Sequence, residues 1–148
     1  MKLRRWQTEA IEAIKGQERP VVWAIMGAGK SITIAEICKR NRQDVIVVTA
    51  PTIALVEQLS GTIAAHTGEC VGRWYTKENH KSRITVACHA SLKTLTGDVD
   101  LWIADEAHKS ECSEVIAWEE DIKPARRIGF TATPWRSSER ESLSLFKQ

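Results

Sequence analysis

Two short strings hold most of the chemistry available to this chain. Gly27-Ala28-Gly29-Lys30-Ser31 is a glycine turn ending in a cation and a hydroxyl. Asp105-Glu106-Ala107-His108 sets two carboxylates directly behind the apolar run Leu101-Trp102-Ile103-Ala104. A polyphosphate packs several negative charges into a small volume, and backbone N–H groups at a helix start can surround it where side chains stay clear. Gly27 and Gly29 meet that need, and Ala28 adds only a methyl group. Lys30 can reach the β- and γ-phosphates as a point charge, while the Ser31 hydroxyl can ligate Mg²⁺. Asp105 can hold the same metal, and Glu106 can orient and deprotonate the water that attacks the γ-phosphate. Two acids behind a strand, taken alone, read only as a helix start that favours negative charge. Joined with the glycine turn, they complete a site for a magnesium-bound nucleoside triphosphate.

Such a site needs a strand before each string and a helix after the glycine turn. The chain supplies both. Leu3, Trp6, Ala10, Ile11 and Ile14 recur at helical spacing, with Gly16 as the stop. Residues 20–25 form a short apolar run, a buried strand leading into the turn. The next helix starts near Lys30, turns Ile34, Ile37 and Cys38 inward, and ends in Lys39, Arg40 and Arg42, cations that suit the negative end of its dipole. Residues 45–49, 84–88, 101–104 and 127–130 read as further strands, and Pro51-Thr52 opens a helix carrying Leu55, Leu59 and Ile63. Continuous apolar strands alternating with helices predict an α/β fold, a mainly parallel sheet with helices on both faces. Residues 66–82, polar and containing Arg73, Trp74, Tyr75, Lys77 and Lys81, read as a surface excursion. Its cations are available to phosphates. The stretch 137–148 has helical spacing through Leu143 and Phe146.

At 148 residues the chain suits a single domain. A formal net charge of +2 means that any basic surface is local. No apolar run is long enough for a membrane span. Cys38, Cys70, Cys88 and Cys112 are scattered with no C-x-x-C pair, which favours a reducing cytoplasm over zinc or a disulfide framework.

These strings, taken in order, resemble the motifs of the first RecA-like domain of a superfamily 2 DEAH-box helicase or translocase. Leu3-Arg4-Arg5-Trp6-Gln7 is similar to the glutamine motif, and residues 24–31 resemble motif I, with Ala24 at the first glycine position. Thr49-Ala50-Pro51-Thr52, with Leu55 and Gln58, resembles motif Ia. Asp105 to His108 is motif II letter for letter, and Thr131-Ala132-Thr133-Pro134 resembles motif III. Met26 departs from the family, standing where a small hydroxyl residue is common.

The resemblance implies a RecA-like P-loop NTPase fold spanning 1–148, with ATP and Mg²⁺ as cofactors. It gives Lys30, Asp105 and Glu106 the catalytic work, Ser31 and Asp105 the metal, and Gln7 with Arg4 the adenine. Gly27, Ala28, Gly29, Lys30 and Ser31 would cradle the phosphates. Trp6 would either pack the base or sit in the core. His108, Thr131 and Thr133 would couple the nucleotide to nucleic acid, which Pro51, Thr52 and Ser91 would contact; Thr52 can also cap its helix. The string Cys88-His89-Ala90-Ser91-Leu92 supplies Ser91 as a backbone-contacting residue. Trp135-Arg136 after motif III resembles DNA repair and restriction motors, which favours DNA over RNA. A second RecA-like domain, which supplies the arginine finger, is absent from the sequence, so weak activity is expected from this domain alone. A stand-alone module that binds nucleotide or nucleic acid without catalysis is the other reading.

Overall fold

The computed structural model describes residues 2–23, 29–110 and 112–132, with the His108 side chain outside that description. The elements are α1 (Arg5–Ile14), β1 (Val21–Trp23), α2 (Lys30–Arg40), β2 (Ile46–Ala50), α3 (Ile53–Thr67), β3 (Gly72–Tyr75), β4 (Glu78–His80), β5 (Ile84–Cys88), β6 (Leu101–Asp105), α4 (Ser113–Ile122) and β7 (Arg126–Thr131). Short 3₁₀ helices cover His89–Thr94 and Ala107–Lys109.

Among the described residues, seven strands form one sheet in the order β1-β7-β6-β2-β5-β3-β4. Every neighbouring pair is parallel except the β3–β4 hairpin. Strands β2, β5 and β6 are buried along their whole length, which is why they read as unbroken apolar runs. Their alternate residues feed two cores. Ile46, Val48, Ile84, Val86 and Ile103 pack against Ile34 and Ile37 of α2 and Leu59 and Ile63 of α3. On the other face Val47, Ala87, Trp102 and Ala104 meet Leu92, Val115 and Trp118. Trp102 is fully buried, crosses the Trp118 ring edge-on at 5.5 Å, and donates through Nε1 to Thr49 Oγ1 at 2.9 Å. Removing so large a ring leaves a cavity and an orphaned hydroxyl.

The polar stretch after α3 differs from a surface excursion. Helix α3 runs to Thr67 and stops at Gly68, whose φ of 73° is the left-handed cap that glycine supplies. Gly72 to His80 then form the β3–β4 hairpin. Arg73 Nε donates to Ser60 Oγ at 2.7 Å, Trp74 Nε1 to Thr94 Oγ1 at 3.0 Å, and the Tyr75 hydroxyl to Glu57 Oε1 at 3.1 Å. Lys81 Nζ donates to the Thr96 carbonyl. Arg73 and Lys81 are therefore tied to the chain, whereas the exposed Lys77 in the turn has no hydrogen-bond or ion-pair partner among the described residues.

His89 is buried, with Nε2 unpartnered among the described residues and Nδ1 3.9 Å from Cys112 Sγ. Burial pushes its pKa down to about 4. Between that value and the ordinary 6.5 the unfolded chain takes up a proton that the folded chain refuses, so stability falls as pH drops through this window. Denaturant titrations across the window should show a shallower fall for His89→Phe than for the wild type. Trp102→Ala should cost about 3–5 kcal/mol in the same assay at neutral pH.

Candidate active site

Parallel sheets place their ligands at the carboxyl edge of the strands. Here β1, β7 and β6 are neighbours, with Trp23 opposite Thr131 and Asp105 opposite Phe130. The carboxyl ends of β1, β7 and β6, with Asp105 as the last residue of β6, therefore lie side by side. Trp23 Nε1 donates to the Ala132 carbonyl at 3.0 Å, fastening the ends of β1 and β7 together.

Lys30 is the first residue of α2, and its ammonium bridges both acids. Nζ lies 2.9 Å from Asp105 Oδ1 and 2.7 Å from Glu106 Oε1. Asp105 is 2% exposed. Burial pushes its carboxyl above the usual range by more than the adjacent Lys30 charge pulls it down. Burial alone would lower the Lys30 pKa, but the two carboxylates outweigh that and hold it above its ordinary value. Glu106 turns out of the strand with φ 54°, in the left-handed region that costs a glutamate about 1–2 kcal/mol. Its backbone N–H donates to Asp105 Oδ1 at 3.0 Å. That turn brings both acids onto one cation, and it was invisible in the string itself.

Gly29 sits in front of α2 with φ 91°. Its carbonyl accepts from Gln7 Nε2 at 2.8 Å and from Thr33 Oγ1 at 3.1 Å. Gln7 is buried, and its Oε1 accepts from the Arg4 backbone N–H at 2.7 Å. The glutamine thus binds the end of the glycine turn across 22 residues of sequence. Thr33 was not singled out from sequence; a threonine one helical turn after a glycine that needs anchoring is the signal that pointed to it. A Cβ at Gly29 would lie 2.7 Å from Gln7 Nε2. Glycine is required there both for its φ and for the glutamine's approach.

The other candidates are placed as follows. Ser31 is half-buried in the first turn of α2, and Thr131 is buried at the end of β7. Arg4 is exposed just ahead of α1, and Trp6 is half-buried within it. Pro51 and Thr52 follow β2, where the Thr52 hydroxyl accepts from Leu55 N–H at 3.3 Å and so caps α3. Ser91 lies in the 3₁₀ helix after β5. Ala24, Met26, Gly27, Ala28, Thr133 and residues 134–148 lie outside the described residues, as does the His108 side chain.

A mostly parallel sheet with helices packed on it, and a lysine at the start of α2 set against an acidic pair at the carboxyl edge, is a RecA-like α/β fold. The chain belongs to the family described as the type III restriction enzyme, res subunit, whose model matches residues 1–136. Solved structures with the same fold include a hypothetical ATP-dependent RNA helicase from Sulfolobus tokodaii, at TM-score 0.78 and 18% identity, covering 99% of this chain and 50% of that one. The UvsW helicase from bacteriophage T4 matches at TM-score 0.78 and 12% identity, covering 97% of this chain and 58% of its own. The Sulfolobus solfataricus SWI2/SNF2 ATPase core in complex with dsDNA matches at TM-score 0.77 and 16% identity, covering 99% and 36%. The chain thus spans between 36% and 58% of the length of these three proteins. No curated protein matches it. No helix among the described residues is long and apolar enough to cross a membrane.

Gly29→Ala should destabilise the fold by about 1–2 kcal/mol through the strained φ, measured by denaturant titration. Adding Gln7→Ala to that variant should relieve the clash without restoring the wild-type midpoint.

Proposed function

We propose that this chain is the ATP-binding motor domain of a DEAH-box superfamily 2 helicase or translocase that acts on nucleic acid, with DNA favoured. The observation that carries the reading is the Lys30 ammonium held between Asp105 and Glu106. A cation and two carboxylates meeting at the start of a helix form the polar half of a triphosphate site. Its contacts are ready to be exchanged: phosphate oxygens can take the place of the carboxylates around Lys30.

The donor set suits Mg²⁺, a hard ion that takes one or two protein oxygens together with phosphates. Ser31 and Asp105 would hold it, and when bound it would neutralise charge on the β- and γ-phosphates. The chain's own residues do the rest. Gly27, Ala28 and Gly29 offer backbone N–H groups to the phosphates, and Lys30 draws them in. Glu106, released from Lys30, accepts a proton from the attacking water. Gln7, already bonded to the Gly29 carbonyl, links the adenine end of the site to the glycine turn. Arg4 lies beside it. His108, Thr131 and Thr133 would pass the nucleotide state to Pro51, Thr52 and Ser91 on the nucleic-acid side.

An arginine finger from a second RecA-like domain would raise turnover by about 10³–10⁵, so hydrolysis by this domain alone should be slow. The DNA preference is supported by the restriction-enzyme family and by the Trp135-Arg136 string. A cytoplasmic setting fits the four free thiols, of which Cys38 and Cys88 are buried core residues.

Lys30→Ala should weaken ATP binding by about ten- to a hundredfold by calorimetry, through loss of a charge-assisted contact. Undiminished affinity would count against the phosphate site. Glu106→Gln should bind ATP like the wild type yet lose about 10²–10⁴ in turnover. Normal turnover in that variant would remove Glu106 as the base. ATPase assays with DNA, with RNA and with neither should show the largest stimulation by DNA.

A further inference from the structure

Helices α1 and α2 end on either side of a notch that lies away from the nucleotide site. It holds about 280 Å³ and sits at the amino edge of the sheet, where β7 begins. Ile11 and Ile14 of α1, Ile37 of α2 and Ile128 of β7 close its floor, all four of them buried core residues. Lys15, Arg40 and Arg126 stand around that floor, and no carboxylate lines the notch among the described residues. Helix α2 carries Lys30 at its start and Arg40 at its end, about 15 Å apart along the axis.

The helix ends do not consume these cations. Asn41 covers the Ile37 carbonyl, donating through Nδ2 at 2.7 Å and through its backbone N–H at 3.1 Å. At the end of α1, Gln17 Nε2 donates to the Ala13 carbonyl at 2.6 Å and its N–H to the Ile14 carbonyl at 3.1 Å. Arg126 is half-buried, and its guanidinium has no hydrogen-bond or ion-pair partner among the described residues. Arg40 reaches Glu12 at 3.7 Å and Glu36 at 3.8 Å, both beyond hydrogen-bond distance. Of the three cations Lys15 is the closely paired one, with Glu12 at 2.9 Å. Two guanidiniums therefore keep their donors free beside an apolar floor. A carboxylate matches the planar fork of a guanidinium, and an apolar body attached to it would cover the isoleucines.

We propose that this notch is a second ligand site, which takes a small carboxylate carried on a short apolar body, with Arg126 as the anion contact and Arg40 beside it. The volume sets the size. Ligand pockets run from about 300 to 1,000 Å³, so this one stands at the lower end and admits a single short chain or ring. The anion gains charge-assisted bonds from Arg126 without displacing any contact within the protein.

The test is an amide chemical-shift titration by NMR of the 148-residue protein, with sodium hexanoate as the probe. Hexanoate should bind with a Kd of about 0.1–1 mM, shifting the amides of Lys15, Gly16 and Asn41. Hexanol lacks the charge and acetate lacks the apolar body, so each should bind about tenfold more weakly or worse. Arg126→Met should weaken hexanoate by about tenfold or more. Its thermal midpoint should match the wild type, because the lost guanidinium leaves no partner unpaired. Lys39→Ala, exposed on the same helix end but outside the notch, should leave hexanoate affinity unchanged. Wild-type affinity in the Arg126→Met variant, or no saturable shift in the wild type, overturns the proposal. Tighter binding of an end-blocked peptide with one glutamate between two leucines also overturns it, and gives the notch to a protein partner instead.

Discussion

A carboxylate as buried as Asp105 is costly to keep ionised unless a cation lies against it, since desolvation removes on the order of several kcal/mol of hydration. Lys30 is that cation, and it is shared with Glu106. The arrangement needs the first residue of α2 and the last residue of β6 to arrive at one point. The sheet order makes this possible, because β7 alone separates β1 from β6. The left-handed turn at Glu106 then brings the second acid to the same ammonium. Removing the lysine would take away the cation that pulls the buried Asp105 carboxyl down.

Around this contact the molecule is braced on both sides. Gln7 and Thr33 hold the Gly29 carbonyl and so fix where α2 begins. Trp23 bonds to the Ala132 carbonyl and fixes the ends of β1 and β7. Behind the edge, Trp102 and Trp118 fill the core beneath β6 and α4, with Trp102 reaching across to Thr49 of β2. The same strands that build the core thereby set the edge positions of Asp105, Thr131 and Pro51. Packing and site geometry are one problem in this fold.

The central strands were legible because strands buried on both faces must be apolar throughout, as Ile46–Ala50, Ile84–Cys88 and Leu101–Asp105 are. Helices α1, α2 and α3 announced themselves by spacing, by Gly16 as a stop, by the cations that end α2 and by Pro51-Thr52 ahead of α3. Strands β3 and β4 did not, because an edge hairpin is half-exposed and carries Arg73, Glu78 and His80 where a central strand would carry valines. Helix α4 was missed as well. Val115 and Trp118 are its buried pair, and acids at Glu114, Glu119, Glu120 and Asp121 mask the short apolar stripe. At the site, residue types could be read from the strings, but not the meeting of residues far apart. The Gln7–Gly29 bond and the shared Lys30 ammonium depend on tertiary approach, and the φ of Glu106 is set by the turn and not by its identity.

Whether Lys30 exchanges its two carboxylates for phosphate is decided by a crystal structure with a non-hydrolysable ATP analogue and Mg²⁺. Lys30 Nζ should leave Asp105 and Glu106 for phosphate oxygens, and Ser31 and Asp105 should hold the ion. Nucleotide bound elsewhere, with the 2.9 Å and 2.7 Å contacts of Lys30 intact, would contradict that exchange.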